Sequence, residues 1–196
     1  GLLEENRLSV YAAQVQGLVT AEGDNHILLI KMARQMLQRQ GYTRLPSTAP
    51  GSGGSLTSAD RLLGLLRERE RRLLNELRRG MVPARLLGHD LFGVWNDNIT
   101  LALETARAHS IRLGAEAFSA RITELPGGHP ALHLFELFGL RQIEPHLGFY
   151  LAENLLTRGE VKAHRACVDD VCRRLRVSAL ELAEACDVPN SLLRIP

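Results

Sequence analysis

From Ile27 to Cys186 the apolar residues return every three or four positions, while the prolines and glycines that punctuate helices gather in a few places. That spacing dictates amphipathic helices. Leu62, Leu63, Leu66, Leu73, Leu74 and Leu77 predict a helix capped at Ser58 or Asp60 and running to about Arg79. Its charge run at 67–72, RERERR, reads as a solvated face paired i,i+3 and i,i+4 rather than an anion site. Pro83 then opens a long helical stretch through Trp95, Ile99, Leu103, Ala106, Ile111, Leu113, Ala117 and Ile122, closed by the turn Pro126-Gly127-Gly128. A helix over 130–158, dense in Leu and Phe, is kinked by Pro145. A last helix over 160–186 turns Val161, Val168, Val171, Leu175, Ala179, Leu182 and Ala185 inward. Strand pairs, phosphate loops, nucleophile elbows and metal clusters leave no trace in the pattern. The expected fold is all-α, an antiparallel helical bundle of long helices and short turns.

Composition narrows the partners. With 45% hydrophobic residues in 196, the chain can bury a real core. Its 24 basic residues face 22 acidic ones without an aromatic stacking platform, which speaks against nucleic acid. Cys167, Cys172 and Cys186 fit reduced thiols packed in a core better than a disulfide framework or a zinc site. His89 and His109 are too far apart and out of phase for a metal pair, and no metal is expected. No apolar run approaches the ~20 residues that span a bilayer, so no membrane span is expected. Neither a signal peptide nor a Ser-Lys-Leu tail is visible, and the cytoplasm is the expected location.

Chemistry concentrates near the start, at Ala21-Glu22-Gly23-Asp24-Asn25. A helix opening at Asp24 or Asn25 carries Ile27, Leu28, Leu29, Ile30, Met32, Ala33, Met36 and Leu37 as far as Gly41. Apolar residues on more than one face imply a helix enclosed by others. Glu22, just ahead of it, then sits at the mouth of a buried helix. Such a carboxylate either stabilises the helix start by ~0.5–1 kcal/mol through the dipole or, desolvated, becomes a tuned base.

Glu22-Gly23-Asp24-Asn25, with Arg34 twelve positions on and Gly1 twenty-one before, resembles the acyl-CoA oxidase branch of the acyl-CoA dehydrogenase superfamily. Glu5-Asn6-Arg7 is similar to a continuation found in bacterial members, and the closing stretch from Asp187 through Pro189 to Leu193 is similar to a motif near the oxidases' C-terminus. Leu2 and Asp24 depart from the residues usual there, tyrosine and the dehydrogenases' threonine. The resemblance implies that Glu22 is the catalytic base, that Gly1, Asp24 and Asn25 touch FAD, and that Arg34 lies near the substrate's CoA portion. As a lone cation on an amphipathic helix, Arg34 is equally readable as a surface residue.

The resemblance further implies a division into 1–42, the end of the flavin-site bundle; 43–57, a flexible Gly/Ser/Pro linker; and 58–196, the oxidase-type C-terminal helical domain. The implied reaction is α,β-desaturation of an acyl-CoA or carrier-bound acyl thioester: a base removes the α-proton while the flavin accepts hydride from the β carbon. Since the chain opens inside a family motif, the flavin-binding N-terminal domains are expected on the same polypeptide or on a partner chain, in a homodimer. A helical scaffolding subunit that keeps the fold while the chemistry happens elsewhere is the alternative.

Overall fold

The computed structural model describes residues 25–43, 45–46, 55–86, 88 and 90–185, with backbone only at 82–86. Among the described residues every regular element is helical, as the periodicity demands. They are α1 (Asn25–Gln38), α2 (Ala59–Leu86), α3 (Leu91–Asp97), α4 (Ile99–Ile122), α5 (Pro130–Ile143), a 3-10 turn (Glu144–His146), α6 (Leu147–Ala152), α7 (Arg158–Val177) and α8 (Ala179–Glu184). Among the described residues no helix is long and apolar enough to cross a membrane. The 187–193 motif and Cys186 lie outside the described residues.

Three of the expected long helices are divided, each for a local reason. Pro83 falls within the last turn of α2 instead of opening a new helix. Its fixed φ of about −65° is a helical value, so the turn persists past it. The positive φ of Gly88, +69°, ends the segment. Asp90 then starts α3 by accepting the Phe92 N–H at 3.0 Å, and Asn98 separates α3 from α4. Pro145 converts the expected kink into the 3-10 turn, and the chain reverses at Asn154, with φ +55°. Thr157 and Glu160 form a capping box that launches α7. Ser178 divides the last predicted helix into α7 and α8, leaving Ala179 and Ala185 exposed.

α4 is the central element. It packs on α1, α2 and α5 and buries residues around much of its circumference, among them Ala102, Thr105, Ala106, Ala108, Arg112 and Ala115. Leu113 and Ala117, apolar positions of the expected helix, are exposed. The larger apolar cluster joins Leu62, Leu65 and Leu66 of α2 to Phe135, Leu140 and Ile143 of α5, Tyr150 of α6, and Val171 and Leu175 of α7. Phe118 of α4 meets Phe135 edge to face, centroids 5.4 Å apart. A smaller cluster holds α1 through Ala33 against Leu77, Ala102 and Ala106, the alanines allowing close approach.

Among the described residues α1 is packed along one side. Ile27 and Leu28 are 63% and 54% exposed, because α2 and α4 cover only the stripe of Leu29, Met32, Ala33, Met36 and Leu37. Among the thiols, Cys167 is half-buried and Cys172 exposed. Val171 takes the inward position of that turn.

Candidate functional site

Of the residues singled out at the start of the chain, Gly1, Glu22 and Asp24 lie outside the described residues. Asn25 is the first residue of α1 and is exposed. It borders a cleft of about 460 Å³ with His26, Leu28, Leu29, Met32 and Arg107. Arg34, also exposed, borders a second cleft of about 580 Å³ with Leu37, Gln38, Met81, Leu91, Phe92 and Trp95. Nine positions amount to about two and a half helical turns and roughly 13 Å of rise. Asn25 and Arg34 therefore point to opposite sides and are not brought together. The Asn25 cleft sets an amide and an imidazole beside three apolar side chains, a mixture that fits one flank of a flavin, whose ring has apolar faces and a hydrogen-bonding edge.

The charge run at 67–72 holds the main departure from expectation. Only Arg67 is exposed; Glu68, Arg69 and Glu70 are buried, Glu70 completely. Leu62, Leu66, Glu70 and Leu74 recur every fourth residue, and so do Leu65, Arg69 and Leu73, so the charged side chains interrupt the inward stripe itself. Burial demands partners: Glu68 takes Arg71 and Arg72 of its own helix, the expected i,i+3 and i,i+4 pairs, and α4 supplies partners for Arg69 and Glu70. Arg112 Nε donates to Glu70 Oε2 at 2.6 Å, and Arg112 Nη1 to Glu116 Oε2. Glu116 also receives Arg67 at 2.7 Å, while Arg69 Nη2 donates to Glu104 Oε2 at 2.6 Å.

Two further residues close this group. His109 Nδ1 lies 3.1 Å from Glu70 Oε1 and 3.0 Å from Arg112 Nη2. Protonated there it donates to the carboxylate, and bare it accepts from the guanidinium. Tyr42, beyond the end of α1, stands edge-on to the His109 ring, centroids 5.4 Å apart. Burial works to raise the Glu70 carboxyl, but the bonds from His109 and Arg112 outweigh it and hold the group below the usual carboxylate range. The Tyr42 hydroxyl is pushed up, first by burial and then by the Glu70 charge.

At the far side of α2 the run reaches the chain reversal after α6. Arg72 donates to the Glu153 carbonyl at 3.0 Å and also to its carboxylate. Arg61 Nη2 donates to the Leu155 carbonyl at 2.8 Å and to Glu160 Oε1 at 3.0 Å. His146 Nδ1 stands 3.4 Å from Arg69 Nη2. Burial and then the Arg69 cation hold the His146 imidazole below its ordinary value.

Both oxygens of Glu70 are engaged by polar donors and its basicity is lowered, the reverse of what proton abstraction from carbon requires. The cluster is an anchor. Among the described residues no group of His, Cys, Asp and Glu is arranged to hold a metal ion.

A family model described as "Acyl-CoA oxidase" matches residues 58–195. The mouse acyl-coenzyme A oxidase-like protein aligns with the whole chain at 24% identity, and the chain spans 35% of that relative's length. Crystal structures of Yarrowia lipolytica acyl-CoA oxidases 1 and 3 share the fold with TM-scores of 0.73 and 0.78, at 22% and 20% identity. Each match covers 89% of this chain and 28% of the oxidase. Acyl-CoA oxidase-1 of Caenorhabditis elegans, crystallised with FAD and ATP, follows at TM-score 0.66 and 13% identity, over 86% of this chain and 27% of its own.

Proposed function

The chain belongs to the acyl-CoA oxidase family, and from that premise we propose that it supplies the glutamate base of a flavin-dependent α,β-desaturation of an acyl thioester. The observation that carries this reading is the run Glu22-Gly23-Asp24-Asn25 leading directly into α1, whose first residue is Asn25.

Glu22 takes the α-proton of the thioester. An exposed glutamate, with a pKa near 4.3, is a weak acceptor for that proton. Ile27 and Leu28, five and six positions on and exposed on α1, offer apolar surface against which a carboxylate loses water and gains basicity once substrate and neighbouring domains cover it. Asn25, with Gly1 and Asp24, holds the flavin's flank, and Arg34 steadies the anionic carrier of the thioester. FAD, when bound, supplies the hydride acceptor. The bound cofactor requires a second wall, contributed by flavin-binding domains on the same or a partner polypeptide, and the working assembly is a cytoplasmic homodimer.

The test is Glu22→Gln in the complete flavoenzyme, mixed anaerobically with an acyl thioester. Flavin content is retained and bleaching of the flavin absorbance is lost. Bleaching at an undiminished rate would remove Glu22 as the base and favour a scaffolding role for the chain.

A further inference from the structure

We propose that the cleft beside Arg34 is the docking groove for a protein that carries the acyl thioester, and that its occupant is an acidic, amphipathic helix of that carrier. The inference rests on the reading of Arg34 as the contact to an anionic carrier, and it names which kind of carrier. The groove has a floor and two rims. Leu37 of α1, Met81 of α2 and Trp95 of α3 form the floor, all three packed on the smaller apolar cluster. Leu91 and Phe92 form one rim, 47% and 75% exposed, on a helix none of whose residues is buried. A contiguous apolar surface of this kind marks a place of contact.

The other rim is α1. Ile27, Lys31, Arg34 and Gln38 stand at i, i+4, i+7 and i+11 and are exposed, one stripe about 16 Å long. α1 contains no aspartate or glutamate, and no carboxylate among the described residues pairs with Lys31 or Arg34. By contrast Arg107 of α4 and Arg141 of α5 have glutamates at 3.0 and 2.7 Å. Asp90, at the Leu91 end, is engaged as the cap of α3. The α1 rim is therefore positive beside an apolar floor.

That combination selects between carriers. A nucleotide carrier brings several phosphate charges, each calling for its own donors, whereas the described lining of the cleft holds a single cation and one amide among five apolar side chains. A helix laid in a groove brings apolar anchors along one face and carboxylates at its edges. Its anchors meet Leu37, Met81, Phe92 and Trp95, and its carboxylates meet Arg34 and Lys31. Docking on this side leaves the Asn25 cleft, on the opposite side of α1 and roughly 13 Å along the helix, open to the acyl arm.

The test offers the complete flavoenzyme a dodecanoyl group on acyl carrier protein, an acidic protein, and the same group on CoA. We expect kcat/KM to be about tenfold higher or more with the protein-bound thioester, and to fall as added NaCl screens the charges. Phe92→Ser, at an exposed position, keeps its Tm and lowers kcat/KM for the protein-bound thioester about tenfold more than for the CoA thioester. In calorimetric titrations with unacylated carrier protein, Arg34→Glu weakens binding by about tenfold and Arg34→Lys restores most of it, because the rim needs a charge rather than a fork. A preference for CoA, equal losses on both substrates, or a Phe92→Ser protein with less flavin and a lower Tm overturns the proposal, the last by showing the groove filled by the protein's own domains or a second copy. The calorimetry reads docking without turnover and so decides whether or not Glu22 is the base, whereas Glu22→Gln acts on both thioesters alike whatever the groove binds.

Discussion

Glu70 Oε2 lies 2.6 Å from Arg112 Nε across the seam of α2 and α4, with the carboxylate wholly out of solvent and the guanidinium nearly so. Water stabilises neither ion, so each depends on the other. Glu70→Ala leaves Arg112 buried with only Glu116 for charge, and removing one member of such a pair costs about 3–5 kcal/mol. Replacing both by apolar residues of similar size, Glu70→Leu with Arg112→Met, leaves neither charge stranded and is expected to cost less than half as much. Urea denaturation of the three proteins checks this. Equal losses from the single and the double change would show that the pair is not the interaction at stake.

The helices were legible in the sequence because burial writes itself into apolar spacing, as Leu62, Leu66, Leu74 and Leu77 show. Their breaks were less so, since Gly88, Asn98, Asn154 and Ser178 act through a single backbone angle or cap each. The ion cluster was misread for a definable reason. A run such as RERERR satisfies i,i+3 and i,i+4 pairing along one helix, and that local account hides its phase. Glu70 sits four residues from both Leu66 and Leu74, and this register placed it on the inward stripe. Its partner Arg112 is 42 positions away, and only the packing of α2 on α4 could reveal it. Tyr42 offered no signal, since an aromatic just past the end of a helix has no periodicity to betray it. Asn25 and Arg34 fell on α1 as expected, but half-turn phasing separates them.

Acid should unfold the protein in two stages. His146 is held below its ordinary pKa near 6.5 by burial and by Arg69. The unfolded chain therefore binds the extra proton first, and stability present above about pH 6.5 is lost as pH falls toward the lowered folded value. Glu68, Glu70, Glu104 and Glu160 are likewise lowered, their arginine and hydrogen-bond partners overcoming burial. Their contribution is complete above the unfolded carboxylate value near 4.3 and disappears as pH falls through the folded values. Denaturant midpoints between pH 7 and 3 should show a shallow limb and then a steep one. His146→Gln should remove the shallow limb alone; an unchanged slope between pH 6.5 and 5 in that variant contradicts the assignment.

A close helix contact in the larger core is set by a residue without a side chain. Gly139 of α5 is buried against Leu62 of α2, and a Cβ built there would stand 2.7 Å from Leu62 Cδ1 and 3.1 Å from its Cβ. Leu62 is fully enclosed, so α2 and α5 must separate or Leu62 must leave its rotamer. Inside a helix Gly→Ala normally stabilises by about 1 kcal/mol, while overpacking a core costs about 1–3 kcal/mol. Gly139→Ala should therefore lose about 1 kcal/mol or more. Gly114→Ala is the matched control, because Gly114 is exposed in the middle of α4 and its Cβ would meet nothing within 4 Å. That change should raise Tm by a few degrees, where Gly139→Ala lowers it. Adding Leu62→Ala to Gly139→Ala should then cost less than Leu62→Ala alone, since the new methyl group occupies part of the space that leucine vacates. Equal gains from the two alanines would mean that α5 does not approach α2 at Gly139 as closely as Leu62 requires.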